Sequence, residues 1–305
     1  MGTDWLWCWI ISTLRWQTLI AGVVYGKKTV TSLIEELEIN PGLRLLCGIR
    51  SVEGVPSPYA YSRFLRKLAG HEKDLMAVFH GMVEKIRTFL PDLGETLVAD
   101  STDVHAWSSG HGEKVSDPDA RWAGKRTKTR DGRENVYYWF GYKVHLLVCG
   151  EHELPLDFTV TPANVNDNEE LPHLVGQARE RHPDLVEKAK YLVADKGYDD
   201  KDCYQLLMET HKLKPIIPLN LRGEKEPPGI CNHQGTPMCA GNLPMVFAGY
   251  DNGHLKYRCP AKCRKGVTCP LRVPCRPLRG YGLVVKLNTR DDFRRYTAVP
   301  RETKK

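Results

Sequence analysis

Two aspartates stand out because each ends a short apolar run. Asp100 closes the run in ETLVADSTDVHAW, and Asp195 closes the run in KAKYLVADKGYDD. Both runs have the length and branched residues of a buried β-strand, so both carboxylates are expected where a strand meets a loop. Mg²⁺ and Mn²⁺ prefer oxygen ligands and retain several waters. Either aspartate alone is more typical of a turn or a helix N-cap, but the pair indicates a site for Mg²⁺ or Mn²⁺.

The cysteines form a second group with chemical potential. Four are scattered singly and are expected to be small core residues, whereas six fall within 45 residues. Several thiolates close in sequence suit tetrahedral Zn²⁺, and a cytoplasmic setting disfavours disulfides. Their spacing matches no strict pair of C-x₂-C knuckles, so zinc and unligated cysteines in a β-rich insertion both remain open. The six candidate zinc ligands are Cys231, Cys239, Cys259, Cys263, Cys269 and Cys275.

Charge is unevenly distributed along the 305 residues. The composition, 41% hydrophobic and 27% charged, is that of a globular chain with one large domain or two smaller ones. The formal net charge is +7, yet residues 256–305 alone hold 15 Lys and Arg against 3 Asp and Glu. Such a surplus can neutralise nucleic-acid phosphates, although a solvated basic tail has the same composition.

Further basic residues lie in three segments upstream of this end. Some share a predicted N-terminal helix, some fall in a loop after Asp100, and one lies on a predicted strand. Contact with DNA phosphates is one interpretation, and a solvated basic surface is the more common one. The candidates for DNA contact are Arg63, Arg66, Lys67, Lys125, Arg126 and Lys143.

The first 92 residues are expected to be helical. Residues 4–26 are apolar and rich in tryptophan, but Arg15 and Gln17 interrupt them, so we expect a buried helix in a cytoplasmic protein and no membrane span. From Lys27 onward the pattern turns helical, with Thr31 or Ser32 as the capping candidate and a break at Pro41-Gly42. Two more helices are predicted before the Asp100 strand.

The order of elements after Asp100 predicts a mixed sheet. Residues 109–136 lack apolar periodicity and are predicted to be a long loop, and Trp107 just before it is expected to pack in the core. Two consecutive strands then follow, making three with the Asp100 strand. Next come a helix, the Asp195 strand, a helix and a last strand. Three sequential strands followed by alternating helices and strands favour a mixed α/β sheet covered by helices.

The ordered motifs resemble a known family. VADST at Asp100, GYKVHLLV, TPANVNDNEEL and VADKGYDD at Asp195 are similar to DDE-type transposases of bacterial insertion sequences, nearest the insertion-sequence-four group. PSPYAYSRFLRKL also resembles the helical region that precedes the core in that family. The resemblance covers most of residues 27–221.

This resemblance implies a ribonuclease-H-like fold, in which the first and fourth strands are neighbours and Asp100 meets Asp195. The expected organisation is an N-terminal helical region over 1–92, a catalytic core over 93–221, a Cys-rich insertion over 222–280 and a basic end of the core over 281–305. The implied partners are DNA at terminal inverted repeats and at the target. Whether the protein is a homodimer stays open.

The resemblance also implies the chemistry. Asp100 and Asp195 would be the first two of three acids that hold two Mg²⁺ ions for DNA cleavage and strand transfer. The third, a glutamate on a later helix, has no match here, because Glu302, Asp291 and Asp292 lie outside any apolar helical pattern. The sequence therefore predicts a truncated, inactive transposase copy.

Two alternatives remain. One is a non-catalytic DNA-binding inhibitor of intact transposase. The other is a phosphatase with Asp100 as nucleophile, which the predicted three-strand meander disfavours.

Overall fold

The computed structural model describes residues 3–112, 115–129, 131–224, 229–271, 275 and 282–302. The chain divides into two compact units, residues 1–81 and residues 82–305. The first unit is helical, and the second contains the sheets.

Five helices occupy the N-terminal region: α1 Thr3–Val24, α2 Val30–Ile39, α3 Pro41–Leu46, α4 Pro58–Ala69 and α5 Glu72–Phe89. The predicted cap of α2 is wrong by two residues or more. Thr29 is the N-cap, and its side chain and that of Ser32 form a reciprocal capping box. Pro41 ends one helix as predicted but also begins α3, because the Asn40 side chain caps the new helix.

The helical unit has its own core. Leu33, Leu37 and Tyr61 are buried together, and the Tyr61 hydroxyl donates to Thr18 Oγ1 at 2.8 Å. Helix α1 forms as predicted, but the expectation that it is buried is wrong for its C-terminal turns, where Val23 and Val24 are exposed. Among the described residues, no helix is long and apolar enough to cross a membrane.

The central sheet has six strands: β1 Thr96–His105, β2 Arg121–Lys128, β3 Glu134–Cys149, β4 Leu154–Pro162, β5 Tyr191–Ala194 and β6 Lys214–Ile216. Strand β3 pairs antiparallel with β1, β2 and β4, whereas β1, β5 and β6 are parallel. The predicted mixed sheet is confirmed. The first and fourth predicted strands, β1 and β5, are neighbours, as the ribonuclease-H-like arrangement requires.

Helices α6 Asp167–Arg181, α7 Pro183–Lys188 and α8 Lys201–Gln205 connect these strands, and α8 continues as a π-helical turn over Leu206–Thr210. Helix α6 packs against β1, β3 and β4. Side chains alternate along β1, so Leu97 and Ala99 are buried while Asp100 lies on the opposite, more open face of the sheet.

The long loop predicted over residues 109–136 is wrong in part, because β2 lies within it. β2 pairs with residues 134–141 of β3 and extends the sheet as a two-stranded ribbon. Its side chains are largely exposed, so the strand carries no apolar periodicity and its stability comes from backbone pairing with β3. Trp107, expected in the core, is 98% exposed.

A second sheet follows in the Cys-rich region. Strands β7 Val246–Asp251, β8 His254–Arg258 and β9 Val284–Asn288 are antiparallel, with helix α9 Pro260–Cys263 after β8. Met245, Leu255 and Tyr257 form its core. The described part of the Cys-rich region therefore contains β-strands, and β9, from the segment 281–305, pairs with β8.

A buried aspartate ties the segment after β9 to the main sheet. Asp199 is 0% exposed, and its Oδ2 accepts hydrogen bonds from Arg294 Nη2 at 2.7 Å and from the Asn220 backbone N–H at 2.8 Å. Arg301 donates to the Tyr204 hydroxyl and to the Ile217 carbonyl.

Candidate active site

Strand register places Asp100 and Asp195 at equivalent positions on neighbouring strands. Ala99 pairs with Ala194 in the parallel β1–β5 ladder, and each aspartate is the next residue of its chain. Neighbouring strands lie about 4.8 Å apart, so two carboxylates emerge side by side at one place in the sheet. Both residues are exposed.

Backbone N–H groups orient one oxygen of each carboxylate. The Ser101 N–H donates to Asp100 Oδ1 at 2.8 Å, and the Gly197 N–H donates to Asp195 Oδ1 at 2.7 Å. Asp195 thereby caps the short turn over Lys196–Tyr198. A Cβ at position 197 would lie 2.9 Å from Asp195 Oδ1, so glycine leaves this carboxylate room. The backbone therefore positions both acids.

A third carboxylate, Asp167 at the first turn of α6, lies next to the turn that Asp195 caps. Its Oδ1 accepts from Ser101 Oγ and from Lys143 Nζ, both at 3.0 Å. Its Oδ2 is 3.5 Å from the position that a Cβ on Gly197 would occupy. Asp167 belongs to the TPANVNDNEEL motif, where its residue type indicates a helix cap or a supporting role at the site. The contact with Ser101, 66 residues away in sequence, exists only in the folded chain.

The Lys143 side chain takes part in this hydrogen-bond network. Its side chain is 14% exposed, and Nζ donates to the Val165 carbonyl at 2.9 Å as well as to Asp167. An ammonium with two close partners inside the fold is a poor ligand for DNA phosphates, which require an accessible cation. Lys143 is therefore part of an internal ion pair, and its contact with DNA stays a prediction.

Tyr198 lies among all three acids. Its side chain is buried, and burial raises the pKa of the phenol, with further contributions from the negative charges of Asp167, Asp100 and Asp195. The phenol therefore stays protonated at neutral pH. The charges of all three carboxylates therefore act on the same phenol.

His145 lies behind Asp167 on the buried face of β3. Its Nε2 is 2.9 Å from Thr161 Oγ1, and its Nδ1 is 3.9 Å from Asp167 Oδ1. Burial lowers the pKa of this imidazole despite the nearby carboxylates of Asp167 and Glu170. The buried ring is therefore mainly neutral at pH 7.

The donor set suits a hard divalent cation only in part. Asp100 and Asp195 offer adjacent carboxylate oxygens, the ligand type that Mg²⁺ and Mn²⁺ prefer. Among the described residues, however, no group of three or more His, Cys, Asp or Glu could hold a metal ion. Other acids considered from the sequence bond elsewhere: Glu302 accepts from Asn232, and Asp292 accepts from Arg295.

The zinc prediction gains no support from the part of the chain that the structure describes. Cys231 is buried with its Sγ 3.6 Å from the Tyr296 hydroxyl, and burial raises the pKa of its thiol. Cys263, Cys269 and Cys275 are exposed. In the described residues these thiols do not gather into a metal-binding group, because they are spread between the insertion core and its surface.

The other basic candidates are exposed. Arg63, Arg66 and Lys67 lie on α4, where the Arg63 guanidinium covers the Tyr59 ring at 4.7 Å. Lys125 and Arg126 lie on β2. Their contact with DNA stays a prediction.

Comparison with known protein families identifies the family of this chain. A family model described as the transposase DDE domain matches residues 92–259, more than half of the chain. The chain belongs to the DDE transposase domain family. Members are phosphoryl-transfer enzymes and generally use divalent metal ions. The matched segment of this DDE transposase domain includes Asp100, Asp167 and Asp195.

A search of solved structures adds one similarity. A piggyBac transposase, solved by cryo-EM as a synaptic complex with hairpin DNA, aligns with 82% of this chain at 12% identity and a TM-score of 0.38. The chain spans about half of that protein, covering 48% of its length. No curated protein sequence matches the chain significantly.

Proposed function

We propose that this chain is the core of an insertion-sequence transposase of the insertion-sequence-four group, acting on DNA at terminal inverted repeats. Asp100 and Asp195 are the proposed acids of the reaction. The observation that carries the proposal is the pairing of Ala99 with Ala194, which makes the two aspartates neighbours on parallel strands. Family membership supplies the reaction class, phosphoryl transfer.

In the proposed site, Asp100 and Asp195 would hold a divalent ion, because carboxylate oxygens are the ligands that Mg²⁺ and Mn²⁺ prefer. When bound, Mg²⁺ or Mn²⁺ supplies Lewis-acid activation of the attacking and leaving oxygens. In the cleavage step a water oxygen attacks the scissile phosphorus, the P–O3′ bond breaks, and a 3′-hydroxyl is released. Strand transfer repeats this displacement with that 3′-hydroxyl as nucleophile on target DNA.

The neighbouring residues set the charge of the site. Lys143 neutralises Asp167, so two carboxylates remain for the cation. Tyr198 stays protonated and adds no further negative charge. An uncompensated third carboxylate would add to the repulsion between anions at the site, and the Lys143 pair offsets that contribution.

We further propose that cleavage by this chain is severely impaired. Two carboxylates leave a second metal ion short of a ligand, and Asp167 is already engaged by Lys143 and Ser101. The same reasoning favours the second candidate function, a non-catalytic protein that occupies terminal repeats and inhibits intact transposase. A homodimer on paired repeats is part of this proposal.

A cleavage assay tests the proposal. Purified chain is incubated with Mn²⁺ and a labelled duplex carrying the inverted repeat that flanks its gene, with an unrelated duplex and an EDTA reaction as controls. Specific binding with nicking at background level is expected. Robust specific nicking, lost on Asp100→Asn, would contradict the impairment but support the acids. Absence of specific binding would contradict both candidate functions.

A further inference from the structure

The ribbon formed by β2 and residues 134–141 of β3 is a surface that the proposed chemistry does not use. Over residues 121–138 the sequence has six Lys and Arg against two acids. Lys125 and Arg126 are exposed, and within the described residues no ion pair engages either of them. The ribbon is therefore a cationic projection from the sheet that carries Asp100.

Aromatic side chains are concentrated on the same ribbon. Among the described residues from 82 onward, the exposed tryptophans and tyrosines all lie on the ribbon or at its base: Trp107, Trp122, Tyr137 and Tyr138. Exposed aromatic rings interleaved with cations are the composition of surfaces that bind unpaired nucleotides, because each base offers a face for stacking and each phosphate offers a charge.

The ring of Tyr138 is held in place by its cross-strand partner. Tyr138 pairs with Gly124, and a Cβ on Gly124 would lie 2.8 Å from the Tyr138 ring. The ring therefore lies across a position without a side chain, and Tyr138 remains 65% exposed. A ring backed by one strand can present its other face to a base.

Trp122 adds a second ring next to it. Its indole N–H donates to the Gly110 carbonyl at 3.2 Å, and its ring packs against Phe140 with centroids 5.6 Å apart. The neighbouring pair along the ribbon is Gly124 with Tyr138, so the two aromatic side chains are adjacent on one face. Arg126 lies one pair further along the same face.

Alternation along β3 relates this face to the candidate active site. Asp100 pairs with Leu146, and Tyr138 lies eight residues earlier on β3, so both have the same facing. At about 3.3–3.4 Å per residue the separation along the strand is about 27 Å. A DNA strand that leaves the acids along this face would reach the ribbon several nucleotides away.

We propose that the ribbon binds single-stranded DNA, stacking unpaired bases on Tyr138 and Trp122 while Arg126, on the same face, neutralises a phosphate. Single-stranded DNA is favoured over duplex because ring faces stack on bases only where the bases are unpaired. The inference rests on the proposed function in taking DNA as the substrate. The ribbon adds a surface on which one DNA strand is held apart from the complementary DNA strand.

Fluorescence anisotropy with labelled oligo(dT) and a duplex of equal length tests this surface. Tyr138→Leu keeps an apolar residue beside Gly124 but removes the aromatic face. We expect it to weaken oligo(dT) binding about fivefold to 100-fold, the equivalent of about 1–3 kcal/mol, and to leave duplex binding unchanged. Tyr138→Phe is expected to bind like the parent chain.

Tyr137→Leu is the matched control, because Tyr137 is an exposed tyrosine on the opposite face of the same strand. It should retain oligo(dT) binding. Arg126→Gln, on the Tyr138 face, should lower the slope of log affinity against log salt by about 0.7. Circular dichroism of every variant verifies that it folds.

Three results would overturn the ribbon proposal: no oligo(dT) binding by the parent chain, equal losses in Tyr138→Leu and Tyr137→Leu, or equal losses on oligo(dT) and duplex. These outcomes are independent of the cleavage assay. Tyr138-dependent binding of oligo(dT) without specific repeat binding would support the ribbon and contradict the transposase proposal alone.

Discussion

Asp195 and Asp199 are four residues apart, yet their surroundings assign them opposite roles. Asp195 is exposed at the end of β5, with one oxygen held by the Gly197 N–H. Asp199 is fully buried and bonded to Arg294 and to the Asn220 backbone. The Asp195 carboxylate is accessible to a cation and to DNA. The Asp199 carboxylate is buried and hydrogen-bonded within the fold. Burial and hydrogen-bond partners, more than residue type or strand position, distinguish an aspartate available for catalysis from one that stabilises the fold.

The largest effect on stability is expected from replacing the buried Asp199. Asp199→Asn removes the closest carboxylate partner of the Arg294 guanidinium and leaves the weaker pair with Glu224, so we expect a loss of about 3–5 kcal/mol in the free energy of unfolding. Urea denaturation followed by circular dichroism measures it. Asp202→Asn, at an exposed position in the same segment, should change stability by no more than about 0.5 kcal/mol. Equal stabilities for both variants would show that the Asp199 pair is not structural.

Asp167 stands between the two cases, being near the acids but paired. Asp167→Asn removes the charge that holds Lys143 and weakens the bond to Ser101, so a destabilisation of about 1–3 kcal/mol is expected. Asp167→Asn combined with Lys143→Met removes both charges and should recover part of that loss. Urea denaturation of the three variants forms the test. A double variant that loses the full sum of the single effects would argue against the pair.

The smallest effect concerns pH and His145. Burial lowers the pKa of His145 in the folded chain below that of an unfolded histidine, about 6.5. Below that pH the unfolded state takes up the proton first, so stability falls as pH decreases from 7 and the loss ends below the folded pKa. His145→Gln should reduce the difference in unfolding free energy between about pH 7 and 5.5. An unchanged difference would show that His145 does not contribute.

Periodicity was sufficient to predict the strands that position the acids. Apolar runs before Asp100 and Asp195 are local patterns, whereas the adjacency of β1 and β5 was implied by the family resemblance and not by the order of elements. Strand β2 was missed because its exposed residues lack an apolar face and its pairing partner follows later in the chain. Trp107 was placed in the core by its chemistry alone, but its position after β1 leaves it exposed.

The candidate site was predictable only where a single segment defined it. Asp167 joins the acids through Ser101 and Lys143, which are distant in sequence and adjacent only across the packed sheet and helix. The same pair holds the Lys143 ammonium inside the fold, a contact that its position on a predicted strand does not indicate. Cysteine spacing likewise suggested zinc, whereas the fold distributes the thiols between the interior and the surface of the insertion. The structure differs from the sequence predictions at these positions because long-range contacts, which a short motif does not encode, determine their surroundings.

The most direct test of the account is a double-mutant cycle in Mn²⁺ binding. Free Mn²⁺ is followed by electron paramagnetic resonance for the parent chain, Asp100→Asn, Asp195→Asn and the double variant, with Asp202→Asn as control. If the two carboxylates share one ion, each single variant should lose about tenfold or more in affinity, and the double variant should lose clearly less than the product of the two losses. Affinities that multiply independently, or single variants that bind like the control, would contradict a shared site.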